Sequence, residues 1–168
     1  MYELKRLSRE AVAPALERAE RYRLLNEPVE AESICCDVLA IEPENQKALA
    51  TLVLALSDQL DENLTVAFDQ GRAALARLAD EYDRRYYGGI HCERRAKAHW
   101  RRRGPGCAAL AAAWFREALA HYESAITLRR PGNDDPILRW NTCARILMAH
   151  PELAAATEPG EPILEMLE

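Results

Sequence analysis

The sequence predicts an all-α fold, and three observations carry that reading. Alanine and leucine dominate, with 29 Ala and 22 Leu against 17 β-branched residues (5 Val, 7 Ile, 5 Thr). Unbranched side chains keep more rotamer freedom on a helix than branched ones do. Prolines, glycines and capping residues divide the chain into segments of helical length, each with apolar residues recurring every three to four positions. No segment alternates with the period-two pattern of a half-buried strand.

The first helix runs through Pro14 to Leu25 and stops at Asn26. Pro28 opens the second, at the position where proline's missing N–H costs nothing. That helix ends before Pro43, and Asn45 caps a third, in which Leu49, Leu52, Val53 and Leu56 share one face up to about Leu60. Asn63 caps a fourth helix reaching Leu78. Asp80 caps a fifth, with Glu81 and Asp83 in its first turn where the helix dipole favours acids. The fifth runs to Arg103 and is broken by Gly104-Pro105-Gly106. A sixth covers Cys107 to Arg129, and a seventh opens at Asp135-Pro136 and closes near Ala149, before Pro151. Residues 1–12 read as a lead-in, 13–149 as the folded domain, and 150–168 as an acidic tail with a small apolar knob at Ile163, Leu164, Met166 and Leu167.

At 168 residues and 19.0 kDa, with 49% apolar and 29% charged residues, the chain has the balance of a globular protein that builds a core without staples. It has no apolar run long enough to cross a membrane, and MYELKRLSRE lacks the apolar centre of a signal peptide, so a cytoplasmic location is expected. Five cysteines (Cys35, Cys36, Cys92, Cys107, Cys143) follow no CxxC spacing and are expected reduced, as small core hydrophobes. No HExxH or paired-histidine spacing, nucleophile elbow or phosphate-binding glycine loop is present, so no enzyme, metal or cofactor is expected. Gly88-Gly89 falls inside the fifth helix and reads as close helix packing or a kink, in preference to a ligand contact.

The net charge of −5 is unevenly spread. Residues 84–103 hold eight basic side chains against Glu93 alone, a local +7. Glu93 falls mid-stripe with Tyr86, Ile90, Ala96 and Trp100, so its carboxylate needs a cationic partner, such as an arginine from a neighbouring helix. The basic side chains form two rows, Arg94, Lys97 and Arg101 in one and Arg84, Arg95 and Arg102 in the other. They read either as a solvated face compensated by acids elsewhere or as a ridge that steers an acidic partner.

Seven helices on short turns invite a search for repeats. Ala19, Tyr22, Ala31, Cys35 and Pro43 fall at positions 8, 11, 20, 24 and 32 of a 34-residue unit, and Leu49, Leu52, Val53 and Leu56 begin the next. Ala118, Tyr122 and Ala125 repeat the small–aromatic–small pattern of the second helix, and Trp140, Cys143, Ala144 and Leu147 begin a final one. On these residues the chain resembles the tetratricopeptide repeat (TPR) family over roughly residues 13–149. The resemblance implies a right-handed α-solenoid of about three hairpins plus a capping helix. Tyr86 and Trp140 stand 54 residues apart rather than 34, so the third hairpin should be elongated and project with Trp100, Arg101–Arg103 and its tip. Trp140 should be mostly buried between that hairpin and the last helix.

TPR arrays hold partners in a concave groove lined by the first helix of each hairpin. The resemblance therefore implies a non-enzymatic adaptor for a protein or peptide with an acidic segment, with no membrane and with homo-oligomers left open. Groove positions fall on Glu17, Glu20, Arg23, Lys47, Thr51 and Asp58, and the expected partner-binding set is Arg84, Tyr87, His91, Arg94, Arg95, Lys97, Arg101, Arg102, Asn141 and Arg145. The carboxylate clamp of chaperone-binding TPRs has only Arg84 in place, since Leu16, Glu20, Thr51 and Gly88 stand at its other positions. A nucleic-acid-associated factor using residues 84–103, or a small secretion-type chaperone, is the alternative; the acidic remainder of the chain opposes polyanions.

Overall fold

The computed structural model describes residues 2–155, and every regular element among them is helical. A 3₁₀ turn (Arg9–Ala11) leads into α1 (Val12–Leu24), α2 (Pro28–Ile41), α3 (Gln46–Asp58), α4 (Val66–Ala76), α5 (Glu81–Arg102), α6 (Cys107–Leu128), α7 (Asp135–Ala149) and α8 (Pro151–Ala155). The apolar knob expected at 163–167 lies outside the described residues.

Local chemistry sets most of the boundaries. Asn26 takes a left-handed conformation (φ 62°) after α1, and two bonds close the end: Asn26 N–H to the Arg23 carbonyl (3.1 Å) and Glu27 N–H to the Tyr22 carbonyl (2.9 Å). This pairing satisfies carbonyls that a helix end otherwise leaves open. Pro28 stands in the first turn of α2. The Asn45 side chain accepts from Ala48 N–H (2.9 Å) and that of Asp80 from Asp83 N–H (3.2 Å), so both expected caps form. The fourth helix is shorter than expected: it starts at Val66, its preceding Thr65 makes no side-chain cap bond, and Asn63 contributes only its backbone carbonyl, to Ala67 N–H.

Each helix packs on the next, and odd-numbered helices also touch in sequence, α1 on α3, α3 on α5 and α5 on α7. One core joins Ala19, Ala31, Cys35, Leu49, Val53, Leu56, Phe68 and Ala74 across α1–α4. A second joins Ile90 and Ala96 to Phe115, Ala118, Tyr122, Cys143 and Leu153 across α5–α8. The alanines let backbones approach closely, and the large residues fill the space beside them. Gly89 serves the same end, since a Cβ there would lie 2.5 Å from the Tyr122 ring. All five cysteines are free thiols, and Cys35, Cys92 and Cys143 are buried.

Three expectations need correction. The hairpin α5–α6 is long, at 22 residues per helix against 13 for α3, but its far end does not stand clear. Trp100 packs against the His150 ring at 4.3 Å, while Arg101 pairs with Asp61 and Arg102 reaches the Asp61 carbonyl. The loop between α3 and α4 flanks it on one side and the start of the supposed tail on the other. Second, the folded unit runs past residue 149: α8 packs on α6 and α7, and Leu153 is fully buried. Third, Trp140 is only partly buried, its indole N–H reaching Glu123 at 3.2 Å.

Candidate functional site

The odd-numbered helices present one continuous face, and side chains from three of them line a groove of about 520 Å³. α1 contributes Glu20, Arg23 and Leu24; α3 contributes Gln46, Lys47, Ala50, Thr51 and Leu54; α5 contributes Asp83 and Tyr87. The α3 set follows from helical geometry, since residues 47, 50, 51 and 54 stand three or four apart and share a face. Ala50 leaves room between the neighbouring helices, and Leu54 and Tyr87 give an apolar floor. The rim is mixed in charge. Lys47 and Glu20 form a loose pair (3.2 Å), both half exposed, so each can be recruited by a visiting chain.

At one end the groove is tied shut by charge. Asp58 of α3 accepts from Arg23 Nε of α1 (2.8 Å) and pairs with Arg94 of α5 (3.3 Å). One carboxylate therefore links three odd helices.

A second polar centre lies where α5, α6 and α7 meet. Glu93 is fully buried; Tyr122 donates its hydroxyl to Oε2 (2.7 Å), Lys97 donates to Oε1 (2.5 Å), and Arg139 of α7 stands 3.5 Å away. Burial alone pushes this carboxyl up, but the bonds from Lys97 and Tyr122 and the charges of Lys97 and Arg139 outweigh it, leaving Glu93 below its ordinary value. The interhelical arginine expected for Glu93 is thus present, as Arg139. Burial and the Glu93 charge drive the Tyr122 hydroxyl the other way, so it remains a donor.

The structure separates the expected partner-binding residues into four groups. Tyr87 lies in the groove. Arg94, Lys97, Arg101 and Arg102 sit on its side of α5 or near its tip, but are engaged internally by Asp58, Glu93 and Asp61. Arg84, His91 and Arg95 turn to the opposite face. Arg84 donates to the carbonyls of Leu78 (2.5 Å) and Ala79 (2.8 Å), capping the end of α4, and the Arg95 guanidinium lies 3.8 Å over the Phe68 ring. His91 cannot serve as a surface contact, because it is 1% exposed, stacked on Phe68 and bonded to Ser57 and the Phe68 carbonyl. Asn141 and Arg145 lie on α7, away from the groove's lining, with Arg145 exposed.

The 100° helical step places residues 84, 91 and 95 on one arc and 83, 87 and 94 on another, but the sequence does not say which arc faces α4 and which faces α3. Sequence reasoning missed Leu24, Gln46, Ala50, Leu54 and Asp83. The stripe through Lys47 and Thr51 could have supplied Ala50 and Leu54, and Asp83 stands one turn before Tyr87.

No group of three His, Cys, Asp or Glu side chains poised to hold a metal occurs among the described residues. None of their helices is long and apolar enough to cross a membrane. Set against known proteins, the chain matches no family model, no curated protein and no solved structure.

Proposed function

We propose that this chain is a TPR-like helical-repeat adaptor, without enzymatic activity, that holds an extended segment of a partner protein across α1, α3 and α5. The observation that carries the reading is the groove itself: three successive odd helices each place side chains along one trough, with Ala50, Leu54 and Tyr87 as floor and Glu20, Arg23, Lys47 and Asp83 as rim. An extended peptide needs that combination, with apolar ground for alternate side chains and charges at the edge to fix register and direction. The contacts between consecutive odd helices also suit a solenoid stack, in which each hairpin buries the apolar face of the one before.

The partner's chemistry follows from which charges remain available. Lys47 is exposed and loosely held, whereas Arg94 and Lys97 are engaged by Asp58 and Glu93. An acidic side chain set among apolar ones therefore meets Lys47 at the middle of the trough rather than a ridge along α5. The same internal pairing weakens the case for a nucleic-acid-associated factor, which needs rows of uncommitted cations.

Selection of peptides from a random library by the whole protein tests the reading. Selected sequences should carry apolar residues around one or two acids. Lys47→Glu, at an exposed position, should weaken them at least ten-fold while leaving the thermal midpoint near that of the parent. Peptides that bind Lys47→Glu as well as the parent would remove the groove from the proposal.

A further inference from the structure

Across α5 from the groove, α4 and α6 leave a cavity of about 730 Å³, within the size range of small-molecule sites. Its floor is uncharged. Gly88 brings no side chain, and a Cβ there would already touch the His121 ring at 3.0 Å. His91 donates from Nε2 to the Phe68 carbonyl (3.0 Å), and its Nδ1 stands 2.7 Å from the Ser57 hydroxyl, which itself bonds the Val53 carbonyl (2.6 Å). Burial, reinforced by Arg95 and Arg72 against the Phe68 bond, lowers its pKa to about 4, and burial pushes the neighbouring Cys92 thiol up to about 12. The walls are apolar: Phe68 and Leu75 from α4, Ala113 and Trp114 from α6.

The mouth is cationic. Arg72, Arg84 and Arg85 line it against Glu81 and Glu117. Arg85 reaches Glu81 only at 3.7 Å, and Arg72 makes no ion pair among the described residues. Behind the aromatic wall Arg95 adds a further positive charge, 3.8 Å over Phe68 and 4.4 Å over Trp114. Two buried nitrogens here lack hydrogen-bond partners, Arg95 Nε and His121 Nδ1. An apolar slot with surplus guanidinium charge at its entrance disfavours cations, and a neutral molecule forgoes the charge-assisted bonds that an anion makes there.

We infer that this cavity binds a small organic anion, its flat apolar body against Leu75, Ala113 and Trp114 and its carboxylate or sulfonate held at the mouth by Arg72. The site lies on the face opposite the groove and stands independently of the adaptor reading.

Titration of the full chain with anilinonaphthalenesulfonate, a flat apolar anion whose emission rises on binding, tests the inference. Saturation at one dye per chain is expected. Arg72→Glu, at an exposed position, should weaken the dye at least ten-fold without moving the unfolding curve, and Ala113→Trp should fill the slot and remove binding. The uncharged phenylnaphthylamine should bind at least ten-fold more weakly, and the groove variant Lys47→Glu should bind the dye as the parent does. Parent-like binding by Arg72→Glu, equal affinity for the uncharged dye, loss of binding in the groove variant, or no saturable binding at all would each overturn it.

Discussion

Glu93 and His91 lie on one helix and are both buried, yet they solve burial in opposite ways. Glu93 stays ionised because Lys97, Tyr122 and Arg139 surround it; His91 stays neutral because burial, with Arg95 and Arg72 nearby, outweighs its bond to the Phe68 carbonyl. Replacing Glu93 by Gln removes the charge and keeps the shape, so it should cost about 2–3 kcal/mol, read from denaturant midpoints. Loss is expected because Tyr122 and the two cations keep only a weaker acceptor. The folded carboxyl lies below the ordinary value of 4.5, so its contribution is present above that pH and is lost as pH falls through the folded value.

His91 acts in a higher window. Its pKa drops from 6.5 to about 4 on folding, so the unfolded chain binds more protons between those values. Stability should decline as pH falls from 6.5 towards 4, by about 3 kcal/mol for this group. His99 and His121 are shifted in the same direction by burial and add to the slope. His91→Gln should flatten the larger part of it in urea titrations run at successive pH values. The neighbouring glycines make a sharper contrast. An alanine Cβ at Gly89 would meet the fully buried Tyr122 ring at 2.5 Å, whereas at Gly88 it meets the partly exposed His121 ring at 3.0 Å. Gly89→Ala should therefore destabilise by about 1–3 kcal/mol, outweighing alanine's helix preference of about 1 kcal/mol, and Gly88→Ala should cost clearly less.

At the scale of elements, α8 carries the packed helices past residue 149. Pro151 stops α7, as the sequence implies, but it also starts a new helix that swings Leu153 into the core shared by α5, α6 and α7. Proline in a first turn is compatible with either outcome; only the apolar space beside Phe115 and Trp100 makes the second favourable. Leu153→Ala should lower stability by about 2–4 kcal/mol in thermal or denaturant unfolding, a cost that a solvated tail would not show. The long hairpin follows the same logic: without α8 and the loop around Asp61, its last turns would expose Trp100 and leave Arg101 unpaired.

Across the whole molecule, the charge segregation seen along the chain is largely cancelled in space. The basic run of α5 meets Asp58 from α3, Asp61 from the following loop and its own Glu93. Arg94 is the member with the widest reach, because the Asp58 it pairs with also holds Arg23 of α1. Arg94→Glu should destabilise by about 1–2 kcal/mol in thermal unfolding, more than an ordinary surface reversal, since it sets two carboxylates against each other at a partly buried junction of three helices.

Features that depend on a few neighbouring residues were legible in the sequence. The all-helical character and most boundaries followed from Asn26, Pro28, Asn45, Asp80 and the Gly-Pro-Gly break, because caps and breakers act within one turn. Buried small residues such as Ala19, Ala31, Ala118 and Ala125 were readable too, since periodicity marks which positions face inward. The need of Glu93 for a cation was clear from its place on an apolar stripe. What the tertiary structure decided is which side of α5 faces which neighbour. That choice places Tyr87 in a groove, buries His91 behind Phe68, and commits Arg94, Lys97 and Arg101 to acids distant in sequence or set within a core. A helical wheel gives angles between side chains on one helix, but the direction that counts as inward is set by the elements that pack around it.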